Sequence, residues 1–503
     1  GRAHAAHGGE PGDAHGGEAR EGARDAHAGL AAALAADPRV DRALVLGGRD
    51  TARALIRRRP SLQIEGRFRA LGSTLIAPSA DRAAAVRDAV RSAFGGGAAD
   101  PRSARALVLL GSAARSKRLQ RRLADAVRGI RVGVTGRRGG AQGDAEDPLS
   151  VDLVPLPQPP DAAGLRALTE LQPGEEWLVE PERLDEAGLL WRPGVRTGLR
   201  RDAQFWSDAV GLPVIGVIAA SSLDQAIALQ NQLGGGSVAA LHASDPQETL
   251  PWLDGVRAAS LVVGESTVPA RVERRPGGGW GPAGMGASAL AGGPNRLVAL
   301  GSWRLREGTA SSTLHLRGLD PEVQALVETA QSSLDYASFD RVRRAGLADA
   351  LAWRTSLGRV RDTIGLGVER NLLRRWPVST HVRLAEGGSL AELVRVLAAG
   401  AVVGAPMSVS TGELLPAELS QFLAAAGIGV SLERDDAWLE RIAVAGPGEG
   451  DGVEARAERV RLIGGDPLPG AEWLGGGGRV PLLAQPRTLA RPLEVLAVLK
   501  EQS

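Results

Sequence analysis

Cysteine is absent from the 503 residues, which excludes disulfides, thiolate metal sites and thiol catalysis by this chain and leaves its redox compartment open. Aromatic residues make up only 3%, so the cation-and-aromatic interleaving of nucleic-acid binders is missing. Lysine is nearly absent too: Lys117 and Lys500 are the only two, and arginine supplies the rest of the 60 cations. Against 58 acidic residues they leave a net charge of +2. The pI of 9.6 therefore reflects arginine in a near-balanced chain, not a basic face. The Arg57-Arg58-Arg59 and Arg121-Arg122 runs read as solvated helix faces, and no nucleic-acid partner is expected. No apolar run approaches the roughly 20 residues that span a bilayer, so no membrane span is expected. The start, Gly1-Arg2-Ala3-His4, carries neither an initiator Met nor a signal-peptide apolar region. It reads as the start of a fragment or a processed chain, with the cytoplasm as the expected location.

What is present describes a folded protein. Hydrophobic residues make up 43% and charged residues 23%, and the length allows two to four domains with sizeable cores. Residues 1–28 are rich in Gly, Ala, His and Glu without periodicity and read as a flexible arm. Four of the seven histidines sit there (His4, His7, His15, His27). Their spacing is irregular, and a floppy segment does not fix ligand geometry, so no metal site is expected. From Leu30 a short helix, a buried strand over Val40–Leu46 and a turn at Gly47-Gly48 opening a helix through Arg59 form half of a nucleotide-binding α/β unit. Backbone N–H groups at such a turn face a phosphate, making Gly47 and Gly48 the cofactor-binding candidates.

The chemistry is expected between Ile64 and Leu110. The segment runs Ile64-Glu65-Gly66-Arg67-Phe68-Arg69-Ala70-Leu71-Gly72, then Pro78-Ser79-Ala80-Asp81-Arg82, then Ser92-Ala93-Phe94-Gly95 to Pro101-Arg102-Ser103-Ala104. Leu107–Leu110 then reads as a buried strand and Gly133–Pro160 as a Gly/Pro-rich loop, and further on come Gly174-Glu175-Glu176-Trp177, Trp191-Arg192-Pro193-Gly194, Gly211-Leu212-Pro213-Val214, Gly234-Gly235-Gly236 into His242, and Arg274-Arg275-Pro276-Gly277-Gly278-Gly279-Trp280. In this order, over roughly residues 29 to 503, the chain resembles NAD-dependent aldehyde dehydrogenases. It is most similar to the L-glutamate-γ-semialdehyde (pyrroline-5-carboxylate) dehydrogenase module, with C-terminal domain, of bifunctional proline-utilisation enzymes.

The resemblance implies an α/β, aldehyde-dehydrogenase-like fold. A remnant of a Rossmann-type cofactor domain is expected over 29–66 and an α/β catalytic domain with oligomerisation segment over 67–320. An incomplete, aldehyde-dehydrogenase-like C-terminal domain is expected over 321–503, where the residues themselves alternate strands (Val378–Leu384, Val402–Ser410) with helices (Ser389–Ala399, Leu415–Ala425), as an α/β parallel sheet requires. It further implies NAD as cofactor, a homo-oligomer, and a flavin-dependent proline dehydrogenase module as partner. Counting back from Pro78-Ser79-Ala80-Asp81, the family's general-base Glu falls at Arg67. Glu65 shares that strand face one repeat away. The family's nucleophilic Cys falls at Arg102 when counted from Ser103-Ala104, or at Pro101 when counted from Phe94-Gly95. Asp208 is the carboxylate nearest to the ribose-holding Glu. Pro269-Ala270 stands where the family has a Gly-Ala pair that binds a substrate carboxylate, and proline offers no N–H. Arginine stays protonated and proline carries no free amine, so neither replaces a thiolate. Ser103 is the remaining hydroxyl candidate and His242 reads as a strand-end residue. Two functions stand: a semialdehyde dehydrogenase module, inactive as written, or a catalytically dead scaffolding or regulatory relative. A nucleotide-binding module without chemistry rests on Gly47-Gly48 alone.

Overall fold

The computed structural model describes residues 29–97, 100–134, 151–269, 274–286, 290, 293, 295–301, 315–444, 457–466, 482–484 and 496–503. The expected arm over 1–28 with its four histidines, most of the Gly/Pro-rich loop after Gly133, and Ala270 lie outside them.

A helix over residues 29–36 (α1) leads into β1 (Arg42–Gly47), α2 (Arg49–Arg58) and β2 (Gln63–Phe68), the two strands running parallel. Gly47 has φ +136°, open to glycine at no cost, and this lets the chain turn from strand to helix within two residues. Ala35, Val45, Ala52, Ile56, Ile64 and Phe68 form the small core of this unit. Leu44 and Leu46, on the other face of β1, are 54% and 71% exposed. β2 continues to Phe68, across the expected boundary after residue 66.

The central body follows as β3 (Gly72–Ile76), α3 (Arg82–Phe94), β4 (Ala104–Leu110), α4 (Lys117–Arg128), α5 (Ala162–Thr169) and β5 (Glu176–Val179). After the β6 (Glu182–Arg183) and β7 (Trp191–Arg192) hairpin come β8 (Gly194–Thr197), α6 (Phe205–Asp208), β9 (Val214–Ala220) and α7 (Leu223–Leu233). β10 (Val238–His242), α8 (Pro246–Gly255), β11 (Ser260–Val263) and β12 (Gly284–Met285) complete it. Seven strands pair in the order β11-β10-β3-β4-β9-β8-β5, parallel except for β5 against β8. All seven residues of β4 are buried, as an apolar run must be when helices cover both sheet faces. α3 and α4 pack on one face through Val86, Phe94, Leu119 and Leu123. α5 and α7 pack on the other with Leu168, Leu229 and Leu233. Side-chain caps start these helices: Asp81, Ser116, Asp161 and Ser222 each accept backbone N–H groups of the first turn. β12 returns to pair antiparallel with β2.

The C-terminal region contains α9 (Pro321–Ala330), α10 (Tyr336–Ala352), β13 (Arg361–Asp362), β14 (Leu372–Pro377), β15 (Thr380–Leu384), α11 (Leu390–Val403) and β16 (Met407–Thr411). It continues with α12 (Ala417–Ala425), β17 (Gly429–Leu432), α13 (Asp435–Val444), β18 (Arg459–Ile463), β19 (Leu482–Ala484) and β20 (Leu499–Gln502). A five-stranded sheet in the order β17-β16-β15-β18-β19 is parallel throughout, as the alternation of helices and strands predicts. One expected strand, Val402–Ser410, is corrected. α11 keeps Val402 and Val403 because both are buried against its neighbours, Gly404 at φ +67° ends it, and the strand begins at Met407.

β14 and β20 form an antiparallel ribbon that reaches back to the central sheet. Ser503 N–H donates to Ala259 O (2.9 Å) and Ser503 O accepts from Leu261 N–H (2.6 Å), so the ribbon's end lies along edge strand β11. Trp280 Nε1 donates to Glu501 O (2.9 Å), and Lys500 Nζ sits 4.4 Å from the Trp280 ring centroid. A sheet edge that would otherwise template aggregation is thereby covered.

Candidate functional site

The turn between α3 and β4 sets the site. Asp100 Oδ1 accepts from Arg102 N–H (2.8 Å) and Asp100 O from Ser103 N–H (3.1 Å), a tight local bracket. It sends consecutive side chains in opposite senses. Pro101 is exposed, its carbonyl accepting from Ser237 Oγ (2.7 Å), while Arg102 is 4% exposed. Of the two residues onto which counting places the nucleophile, Arg102 is the one that points into the protein.

Its guanidinium is held by segments far away in sequence. Nε donates to Thr267 O (2.9 Å), and Nη1 reaches Ser260 Oγ (3.2 Å), Pro276 O (3.3 Å) and Arg275 O (3.4 Å). Thr267 Oγ1 donates in return to Arg102 O (2.7 Å). Burial pushes the Arg102 guanidinium down to about 10; Asp100 opposes that shift and Arg275 adds to it. A value of about 10 still leaves it a cation at neutral pH. Arg275, whose guanidinium burial likewise pushes below its ordinary value, pairs with Glu265 and donates to Ser266 O (3.0 Å). The residue onto which counting from Ser103-Ala104 places the nucleophile is thus a buried cation that braces three distant segments.

The other candidates are separated or engaged. Arg67 lies in β2, opposite Leu46 and Gly284, 7% exposed, and Nη1 donates to Gly66 O (3.2 Å). Burial lowers the Arg67 guanidinium, with Glu65 opposing. Glu65, 8% exposed, pairs with Arg296 at 3.2 Å. No hydrogen bond or ion pair among the described residues joins Glu65 or Arg67 to Arg102. Ser103 is 1% exposed, and its Oγ donates to Gly97 O (3.3 Å). His242 ends β10 at the carboxyl edge of the sheet, opposite the amino end of β4 where Ser103 sits, so it is no base for Ser103. Burial lowers the His242 imidazole, which favours its neutral form. Asp208 lies in α6 and its carboxylate accepts from Arg166 Nη2 (3.3 Å) and Gln204 Nε2 (3.1 Å). Gly47 and Gly48 form the expected turn at the N-terminus of α2; Gly47 O accepts from Arg69 N–H (2.9 Å). Sequence reasoning missed the bracket itself. Ser260 and Thr267 carry no motif of their own, and Pro276 stands in the Arg274–Trp280 stretch with nothing in it that points to Arg102.

The aldehyde dehydrogenase family profile matches residues 25–298. No curated protein sequence matches the chain significantly. Among solved structures, proline utilization A from Corynebacterium freiburgense is similar over 94% of this chain and 42% of its own, with 28% identity and a TM-score of 0.73. This chain therefore spans well under half of that protein. A putative methylmalonate-semialdehyde dehydrogenase from Sinorhizobium meliloti, complexed with NAD, is similar over 52% of each chain, at 17% identity and a TM-score of 0.45. Proline utilization A from Bdellovibrio bacteriovorus is similar over 51% of this chain and 26% of its own, at 20% identity and a TM-score of 0.43.

Proposed function

This chain belongs to the aldehyde dehydrogenase family, and we propose that it is a non-catalytic member of the L-glutamate-γ-semialdehyde dehydrogenase branch, acting as a scaffold in proline catabolism. The observation that carries this reading is the buried Arg102 guanidinium tied to Thr267, Ser260 and Pro276. Aldehyde oxidation of this type needs a soft nucleophile to add to the carbonyl, then hydride loss and a base-activated water to release the acid. A guanidinium has no electron pair to give at neutral pH. Arg67, at the place of the base, is a second cation. Glu65 is engaged by Arg296, which removes the nearest carboxylate from that task.

NAD is the cofactor the family brings, but the described residues do not fit a whole dinucleotide. Such a ligand lies across two βαβ halves, whereas β1 and β2 are the only parallel strands of their sheet. Asp208, the nearest carboxylate for a ribose, is already held by Arg166 and Gln204. The partner proposed is a flavin-dependent proline dehydrogenase module, as in the enzymes this chain resembles, and the same scaffold is proposed to self-associate.

The test is NADH production from glutamate-γ-semialdehyde, together with NAD titration by calorimetry, on the full chain and on Arg102→Cys. Neither protein should form NADH, since a restored thiol still lacks a base at Arg67. Turnover by the unaltered chain would overturn the reading. Turnover by Arg102→Cys alone would show that a single substitution silenced an otherwise intact site.

A further inference from the structure

We infer that a small-molecule site, for an amphipathic anion, lies in the crevice where the carboxyl ends of β4 and β9 meet. The topology puts a crevice there. The chain leaving β4 enters α4 on one face of the sheet, and the chain leaving β9 enters α7 on the other. Adjacent parallel strands whose connections diverge in this way leave a gap outside their carboxyl ends, the usual ligand position in open α/β sheets. A cavity of about 560 Å³ occupies that gap, within the roughly 300–1,000 Å³ range of small-molecule sites.

Its lining sets the ligand class. Leu109, Leu199, Ile218 and Leu229 supply an apolar floor. The loop after β8 supplies the rim, with Arg200, Arg201 and Asp202. Arg200 and Asp202 pair at 3.2 Å and cancel. Arg201 makes no hydrogen bond or ion pair among the described residues, though its charge also helps to lower the Asp202 carboxyl, so Arg200, Arg201 and Asp202 together leave the rim one net positive charge. Gln225 accepts from Ser221 N–H (2.7 Å) and Oγ (2.8 Å) through Oε1, which leaves its amide N–H₂ as a donor at the same cavity. An apolar body with a single carboxylate or phosphate-ester head matches that set. The site is separate from the Arg102 bracket. Arg102 precedes the amino end of β4 and Leu109 lies near its carboxyl end, roughly 20 Å away at about 3.3 Å per residue.

Calorimetric titration of the full chain with octanoate, octyl phosphate and octanol tests the proposal. Octanoate or octyl phosphate should bind saturably with one site, the tighter of the two identifying the head group, and octanol at least about tenfold more weakly, the loss of one charge-assisted contact. Arg201→Ala should weaken the anion by a similar factor. Ala219→Trp, which fills the crevice from exposed Ala219 on β9, should abolish it. Absence of saturable binding, equal binding of octanol, or unchanged affinity in Arg201→Ala would each overturn the inference. Should Ala219→Trp fail to fold, the exposed Arg201 substitution decides alone.

Discussion

Arg196 of β8 and Glu175, the residue just before β5, pair at 3.0 Å with side chains only 3% and 5% exposed. Trp177 stands directly opposite Arg196 in the antiparallel β5–β8 pair. The Arg196 guanidinium carbon lies 5.1 Å from the Trp177 ring centroid and 5.0 Å from that of Phe205. Arg196→Met removes the cation and strands the Glu175 carboxylate, which then keeps, among the described residues, only the Gln172 N–H donor at 2.9 Å. Breaking a buried pair from one side costs about 3–5 kcal/mol. Two partly desolvated cation–π contacts add about 1 kcal/mol each. A methionine thioether packed on the same rings returns about 1 kcal/mol. The expected loss is about 4–6 kcal/mol, a large share of the roughly 5–15 kcal/mol that holds a domain folded. Adding Glu175→Gln removes the stranded charge, so the double variant should be more stable than Arg196→Met alone. Urea unfolding followed by tryptophan fluorescence gives the cycle. A loss under about 1 kcal/mol for Arg196→Met, or additive single effects, would refute the reasoning that this pair is desolvated and coupled.

Two further substitutions test the same logic elsewhere. Asp349 on α10 pairs with Arg395 on α11 at 2.5 Å, the side chains 0% and 5% exposed. Asp349→Ala should cost about 3–5 kcal/mol, and the apolar pair Asp349→Leu with Arg395→Met should recover most of it; unequal recovery in urea unfolding is the check. Burial holds the His242 imidazole below its ordinary 6.5. A base depressed on folding binds protons better unfolded, so its contribution is complete above about pH 6.5 and is lost as pH falls toward the folded value. His242→Gln should flatten that part of the stability profile between pH 8 and 5, and an unchanged slope would reject the assignment.

Much of the architecture was legible before any coordinates. The apolar run of Leu107–Leu110 demanded a buried strand, and it lies fourth of seven in the central sheet. The alternation after Pro321 predicted a parallel sheet, and five parallel strands are present. The failure at Val402–Ser410 has a physical cause. β-branched Val402 and Val403 favour strand locally, but burial in the α11 packing overrides that preference, and Gly404 supplies the left-handed stop four residues after Gly400. The Glu175-Glu176-Trp177 motif was visible too, though not its partner Arg196, which the β5–β8 register brings opposite.

The site divides along the same line. Residue types and their order determined that this chain carries no thiol and that arginines stand at Arg67 and Arg102, because chemistry of that kind belongs to the residue itself. Counting along the chain left Arg102 and Pro101 equally eligible. Only the folded structure shows which of the two is buried, because the Asp100 bracket turns Arg102 inward, onto Ser260, Thr267 and Pro276, which lie 158, 165 and 174 residues away. The engagement of Asp208 by Arg166, 42 residues earlier, and the crevice between β4 and β9 were decided the same way. Charge placement and burial are properties of neighbours in space, which local spacing does not carry.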